Sequence, residues 1–213
     1  MWSAIFLILY FEIGKFKQAS FFLFVGNEHM YRSTGWCVWI TGLPGSGKSI
    51  VSRALVELLN KKNISVQLLS SDEIRKILTP KPTYSIEERD TVYAAIIYIA
   101  ALLTQNGVNI LIDATGNFRR YRDDARSHIA RFIEVYLDCP SEICIQRETE
   151  RKDTYNAPTQ IYKKALQNKT SNTVPGIGQP YEIPLKPDVI VKNFGLTPQE
   201  SARQIYEVII AKK

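Results

Sequence analysis

Gly42-Leu43-Pro44-Gly45-Ser46-Gly47-Lys48-Ser49 fits the pattern G-x-x-x-x-G-K-[ST], in which each fixed position has a physical task. Glycines let the backbone curl tightly, so that successive N–H groups point at phosphate oxygens. Lys48 supplies a cation to the β- and γ-phosphates of a nucleoside triphosphate, and the Ser49 hydroxyl is a magnesium ligand. A helix starting at this point adds its positive end to the anion site. The flanking residues supply the required context. Cys37-Val38-Trp39-Ile40-Thr41 reads as a buried strand, rich in β-branched and aromatic residues. Val51, Ala54, Leu55, Leu58 and Leu59 then recur at helical spacing up to the polar Asn60-Lys61-Lys62-Asn63. Strand, loop and helix follow one another as a phosphate-binding turn demands.

Working outward, repeated β–α alternation implies a parallel sheet covered on both faces. A second strand is expected over residues 64–70. Ser85-Ile86-Glu87-Glu88 reads as a capping box opening a helix that runs to about Gln105, with Gly107 just past its end. The apolar run 108–113 has the look of a strand buried on both faces. A charged helix (118–130), a strand (132–138) and a helix from Pro140 to about Glu150 follow. Residues 151–187 are polar, with little periodicity. A last strand is expected at 188–192, and Thr197-Pro198-Gln199-Glu200 reads as a capping box with proline at the first helical position.

Composition sets the bounds. The chain has 213 residues, 45% of them apolar and 23% charged, which suits one globular domain and excludes a disordered chain. A net charge of +6 suits an anionic small substrate and by itself specifies none. Cys37, Cys139 and Cys144 lack metal-ligand spacing and read as reduced packing residues of a cytoplasmic protein. His29 and His128 read as surface or packing residues. The apolar run from Trp2 to Phe11 is too short to span a bilayer, and no basic segment precedes it as in a secretory signal. An interfacial anchor is the alternative use of that run. Residues 1–34 are expected to form an extension, with the native product starting at Met30, and residues 35–213 a single domain.

Ligands of such sheets bind at the carboxyl ends of the strands. Asp72, just after the second strand, is a candidate to take a proton from a substrate hydroxyl or to hold magnesium through water. Its competing role is a helix N-cap. Asp113, ending the third apolar strand, is a metal or water partner or a cap for the next helix. Arg75, Arg89, Arg122 and Arg126 are candidates to clamp an anion through bidentate contacts. Arg147 stands at the root of the polar segment, where a cation can close over the triphosphate as a lid spanning about residues 147–187. Tyr84 is placed to stack on a base or to pack on the surface.

With these positions in hand, the chain resembles the adenylyl-sulfate kinase family over about residues 35–193. The resemblance is carried by the phosphate loop 42–49, by Ser71-Asp72-Glu73-Ile74-Arg75, by Tyr84-Ser85 with Glu88-Arg89, and by Phe132-Ile133-Glu134-Val135-Tyr136 with Cys144 and Arg147. Ile161-Tyr162-Lys163-Lys164-Ala165, and Gly176-Ile177 followed by Pro180-Tyr181-Glu182 and Pro184, are more specific than the loop. The resemblance implies an α/β fold: a P-loop kinase-like three-layer sandwich with a mostly parallel five-stranded sheet, helices on both faces, and a lid segment. It implies transfer of phosphate from ATP, with Mg2+, to the ribose 3′-hydroxyl of adenylyl sulfate. Lys48, Asp72 and Thr115 would then be catalytic. Gly42, Leu43, Pro44, Gly45, Ser46, Gly47, Lys48, Ser49 and Arg147 would bind ATP. Arg75, Tyr84, Arg89 and Asp113 would bind the acceptor. Ser49 would hold magnesium, with Asp72 or Asp113 reaching it through water. The partners implied are small molecules, with no stable nucleic acid and no membrane; a homodimer is left open.

The chain departs from the family's pattern in several places. Val92 stands where the family has asparagine, Ala114-Thr115-Gly116 where it has Ile-Ser-Pro, and Val174-Pro175-Gly176 where it has Phe-Thr-Gly. Extra residues lie between Arg147 and Ile161. Loss of one aromatic face around an adenine costs roughly 1–3 kcal/mol by analogy with base stacking on proteins. Two other readings stand beside the first: a kinase of the same build acting on another alcohol or a polynucleotide end, favoured by Asp113-Ala114-Thr115-Gly116-Asn117, and a nucleotide-dependent binding module without transfer. N-terminal mass spectrometry of the natural protein tests the extension; no peptide from residues 1–29 is expected, and finding one overturns the Met30 start.

Overall fold

In the computed structural model, the residues described are 34–151, 153, 157–167 and 173–212. The expectations about residues 1–33 lie outside them. The sheet has five strands in the order β2-β3-β1-β4-β5: β1 (Cys37–Thr41), β2 (Gln67–Ser70), β3 (Ile110–Asp113), β4 (Phe132–Asp138) and β5 (Val189–Lys192). Every pairing is parallel, so the sheet is wholly parallel where a mostly parallel one was expected. Among the described residues seven helices accompany it: α1 (Lys48–Lys61), α2 (Ser71–Leu78), α3 (Ile86–Gln105), α4 (Arg119–His128), α5 (Ser141–Glu150), α6 (Ile161–Gln167) and α7 (Pro198–Ala211).

The alternation of β1 shows why the layers form. Val38 and Ile40 point to one face, where they meet Leu55 and Leu59 of α1 and Ile205 and Ile209 of α7. Cys37 and Trp39 point to the other, against Val92, Tyr93 and Ile96 of α3 and Ala125 of α4. With both faces covered, the central strands are apolar throughout, as a parallel sheet requires. Trp39 fixes the turn after β3: its indole N–H donates to the Ala114 carbonyl at 3.0 Å, and a Cβ at Gly116 would lie 2.8 Å from its ring. The Gly116 N–H donates to the Tyr93 hydroxyl at 2.9 Å. A third cluster, Cys139, Cys144, Tyr162, Ala165 and Val174, joins α5 and α6.

Several local expectations shift. The second strand starts at Gln67 rather than at residue 64. Residues 151–187, which carry no clear period, include α6, whose buried residues Tyr162 and Ala165 are too few to stand out. The Thr197–Glu200 capping box is complete. At α3 only half of the box forms: the Ser85 side chain accepts from the Glu88 N–H, while the Glu88 carboxylate turns to Thr83, the Tyr84 N–H and Arg75. All three cysteines are buried and free, and His128 lies on the surface beside Asp124. Among the described residues, no helix is long and apolar enough to cross a membrane.

Arg122 and Arg126 are not substrate clamps. Arg122 is 1% exposed; its Nε donates to Glu134 at 2.7 Å and its other nitrogens to the carbonyls of Gly116 and Glu182. Arg126 pairs with Glu134 and Asp188. Both cations thus stitch α4 to β4 and to the chain entering β5. Sequence alone does not reveal that Glu134, inside an apolar strand, demands them. Removing one partner of a buried pair costs about 3–5 kcal/mol, so Glu134→Ala is expected to lower the unfolding free energy by about that amount, read by urea denaturation; a loss under about 1 kcal/mol would contradict the assignment.

Candidate active site

A cavity of about 560 Å³ opens at the carboxyl ends of β1, β2 and β3, and its wall contains Lys48, Ser49, Asp72, Asp113, Arg147 and Arg151. It forms there because the strand order sets the ends of β2 and β3 beside the end of β1, where the phosphate loop begins.

Within the loop, Pro44, Gly45, Gly47, Lys48 and Ser49 line the cavity. Gly45 and Gly47 have φ of 78° and 97°, which only glycine adopts without strain. Leu43 instead packs into the α5–α6 cluster, and Ser46 is fully buried, its N–H donating to the Leu43 carbonyl at 3.0 Å. Gly42 gives its carbonyl to the Lys48 ammonium at 3.1 Å, and Leu43 gives its own at 3.0 Å.

Burial pushes the Lys48 ammonium below its ordinary pKa, and the nearby charges of Asp113 and Asp72 oppose the shift. Burial likewise lifts the Asp72 carboxyl above the usual carboxylate range, against the pull of Lys48, Arg75 and Arg151. Asp113 is lifted by burial too. Lys48 and a hydrogen bond from Ser49 oppose the rise, and the charge of Asp72 adds to it. Neither acid serves as a cap. Asp72 is the second residue of α2, whose N-cap is Ser70, and the N-cap of α4 is Phe118.

These donors fit magnesium. The Ser49 hydroxyl is hydrogen-bonded to Asp113, and Asp72 faces the same ammonium. Among the described residues, no group of three or more histidines, cysteines and acids could hold a metal by itself. Magnesium suits such a site, because it is commonly held by one or two protein oxygens, substrate phosphates and water.

On the other side of the cavity, Arg75 pairs with Glu88, and its guanidinium lies 4.8 Å from the centre of the Tyr84 ring. Tyr84 itself has φ 57°. Arg89 is held by the carbonyls of Tyr84 at 3.1 Å and Thr173 at 2.6 Å. Both guanidiniums line the cavity, as do Tyr84 and Thr115. The Thr115 carbonyl accepts from the Thr41 hydroxyl at 2.5 Å. Val92 is fully buried in the core, and Val174 lines the cavity where an aromatic was lacking.

Three residues of the site were not foreseen. Asn193, after β5, donates to the Ser46 carbonyl at 2.5 Å and accepts from the Ser201 hydroxyl at 2.7 Å. Arg147 completes that corner by donating to the Asn193 carbonyl at 2.8 Å. Tyr162 of α6 donates to the Pro44 carbonyl at 2.8 Å, tying the loop to the segment expected to form the lid. Arg151, at the end of α5, lines the cavity as well. The Tyr-Lys-Lys-Ala similarity pointed at Tyr162 without a role; nothing in the sequence singled out Asn193 or Arg151.

A Cβ at Gly45 would collide with the Cys144 carbonyl, so Gly45→Ala is expected to abolish ATP binding by calorimetry; retention of wild-type affinity would refute this loop geometry.

Residues 34–192 match the family model described as adenylylsulphate kinase. A probable adenylyl-sulfate kinase of Pseudomonas aeruginosa is 34% identical over 83% of this chain and 78% of its own length. The adenylyl-sulfate kinase of Rippkaea orientalis is 33% identical over 83% of the chain and 92% of its own. Among solved structures, the APS kinase of Mycobacterium tuberculosis in complex with AMPPNP and APS superposes with a TM-score of 0.73 at 29% identity, over 83% of this chain and 98% of that one. The family match spans the phosphate loop, both buried carboxylates and the Pro-Tyr-Glu stretch, and the chain belongs to the adenylyl-sulfate kinase family of phosphotransferases.

Proposed function

We propose that this protein transfers the γ-phosphoryl group of ATP to the 3′-hydroxyl of adenylyl sulfate, giving 3′-phosphoadenylyl sulfate and ADP. The observation that carries the reading is the juxtaposition of Lys48 with Asp72 and Asp113 at the mouth of the phosphate loop, within one cavity that also holds Arg75 and Arg89. A solved relative bound to an ATP analogue and to APS supports the same pair of substrates.

In this reading the loop amides and Lys48 hold the β- and γ-phosphates, exchanging the carbonyls of Gly42 and Leu43 for phosphate oxygens at the ammonium. Arg147, anchored on Asn193 beside Gly47, faces the triphosphate. Arg75 and Arg89, pre-set by Glu88 and by two carbonyls, orient the acceptor nucleotide against Tyr84. Fixing both reactants this way removes much of the entropic part of the barrier. The acceptor oxygen attacks phosphorus as its proton passes to the Asp72 carboxylate. The bond from phosphorus to the β,γ-bridging oxygen breaks, and ADP keeps that electron pair. Thr115, which follows β3 and lines the same cavity, would offer its hydroxyl to the acceptor. Ser49 and, through water, Asp113 or Asp72 would hold magnesium, which would neutralise charge on the phosphates.

Two outcomes are expected. Asp72→Asn lowers kcat about 10²- to 10⁴-fold in a coupled ADP-release assay with adenylyl sulfate, while ATP affinity stays near wild type; an unchanged kcat removes Asp72 as the base. The base must be ionised, and burial raises its proton affinity, so the acid limb of kcat/KM, which reports the free enzyme, should fall off above the ordinary carboxyl pKa of 3.8. Activity is lost as pH drops through that limb and is retained above it; a limb at or below the ordinary value refutes the buried-base assignment.

A further inference from the structure

Arg147 was expected to be the cation of the lid, yet a second one stands one helical turn later. The Arg151 N–H still donates to the Arg147 carbonyl at 3.0 Å, so the two side chains leave the same side of the end of α5. Arg151 lines the same cavity as Lys48, Asp72 and Arg147, and its side chain is 23% exposed. Its charge reaches both the Asp72 carboxylate and the Lys48 ammonium.

Arg151 is also held in place. Nη2 donates to Glu148 Oε1 at 3.3 Å and to the Pro158 carbonyl. The same Glu148 oxygen accepts the Ile161 N–H at 3.1 Å, so one buried carboxylate fixes Arg151 and the start of α6 together. Meanwhile Arg151 Nε is buried and lacks a hydrogen-bond partner among the described residues. With Nε enclosed and Nη2 engaged, the exposed remainder of the guanidinium side chain is the part that meets the cavity. The neighbours of that wall are the lysine that grips the terminal phosphate and the acid that meets the acceptor.

We propose that Arg151 is a catalytic residue that hydrogen-bonds the equatorial oxygens of the phosphoryl group during its passage from ADP to the acceptor, oriented for that task by Glu148. The inference rests on the phosphoryl-transfer reading above. Negative charge spreads over those oxygens as the bond to ADP breaks and the bond to the acceptor forms, and a fixed guanidinium is worth most at that moment. Arg147, bound to the Asn193 carbonyl, steadies the resting triphosphate; Arg151 acts on the group in flight.

The test compares wild type, Arg151→Ala and Arg151→Lys in the full chain. Arg151→Ala is expected to lower kcat about 10²- to 10³-fold with less than about a threefold change in KM for ATP, and Arg151→Lys to recover part of the loss. Calorimetry with ADP alone and with ADP plus aluminium fluoride, a mimic of the planar phosphoryl group, separates catalysis from packing. The alanine variant should bind ADP as wild type does and lose the extra affinity for the aluminium fluoride complex. Equal affinity of wild type and Arg151→Ala for that complex overturns the proposal. So does a fall in ADP affinity as large as the fall in kcat, because that marks a residue that only braces α5. The mimic binds without the acceptor, so this measurement decides on Arg151 even for an enzyme that ignores adenylyl sulfate, and the two readings fail separately.

Discussion

A partly buried ammonium keeps its charge with the help of partners, and at Lys48 those partners organise the whole catalytic end of the molecule. Two loop carbonyls accept its protons, and two carboxylates on neighbouring strand ends balance its charge. The carbonyls come from the loop after β1, and the carboxylates from the ends of β2 and β3, so the site exists only when β1, β2 and β3 are in register. The cost is visible in the acids, both of which are driven toward protonation by the same burial that isolates the lysine. Substrate phosphates would add negative charge beside Lys48 and occupy donors that now face backbone. A site poised in this way trades stability of the free protein for strength of binding.

Arginine divides into two populations in this structure, and the division is physical rather than compositional. Arg122 is spent on Glu134 and on two carbonyls; Arg126 joins it there. Arg75 and Arg89 are equally buried, but they sit on a cavity wall and keep a face toward it. Their fixed orientation comes from Glu88, Tyr84 and Thr173, so a substrate anion meets guanidiniums that need little further ordering.

What could be read in the sequence was whatever a short span encodes. The phosphate loop, the strands before it and after it, and the acids at positions 72 and 113 all follow from local pattern, because a parallel sheet delivers its strand ends to one edge. The Thr197 cap was equally legible. Asn193 and Tyr162 were not, since their bonds to the loop join residues 147 and 118 positions apart. Arg122 and Arg126 were misread because the acids that engage them, Glu134 and Asp188, lie elsewhere in the fold. α6 escaped notice because two buried residues make no stripe.

The strand order also governs when the molecule can come together. β1 is flanked by β3 and β4, so the first strand of this sheet has no neighbour within it until residues 110–138 have left the ribosome. Closing a loop of that length precedes any reward from pairing, which makes folding slow by topology. Until then an apolar ribbon with two open edges trails from the nascent polypeptide, a natural client for chaperones that shield such surfaces during translation.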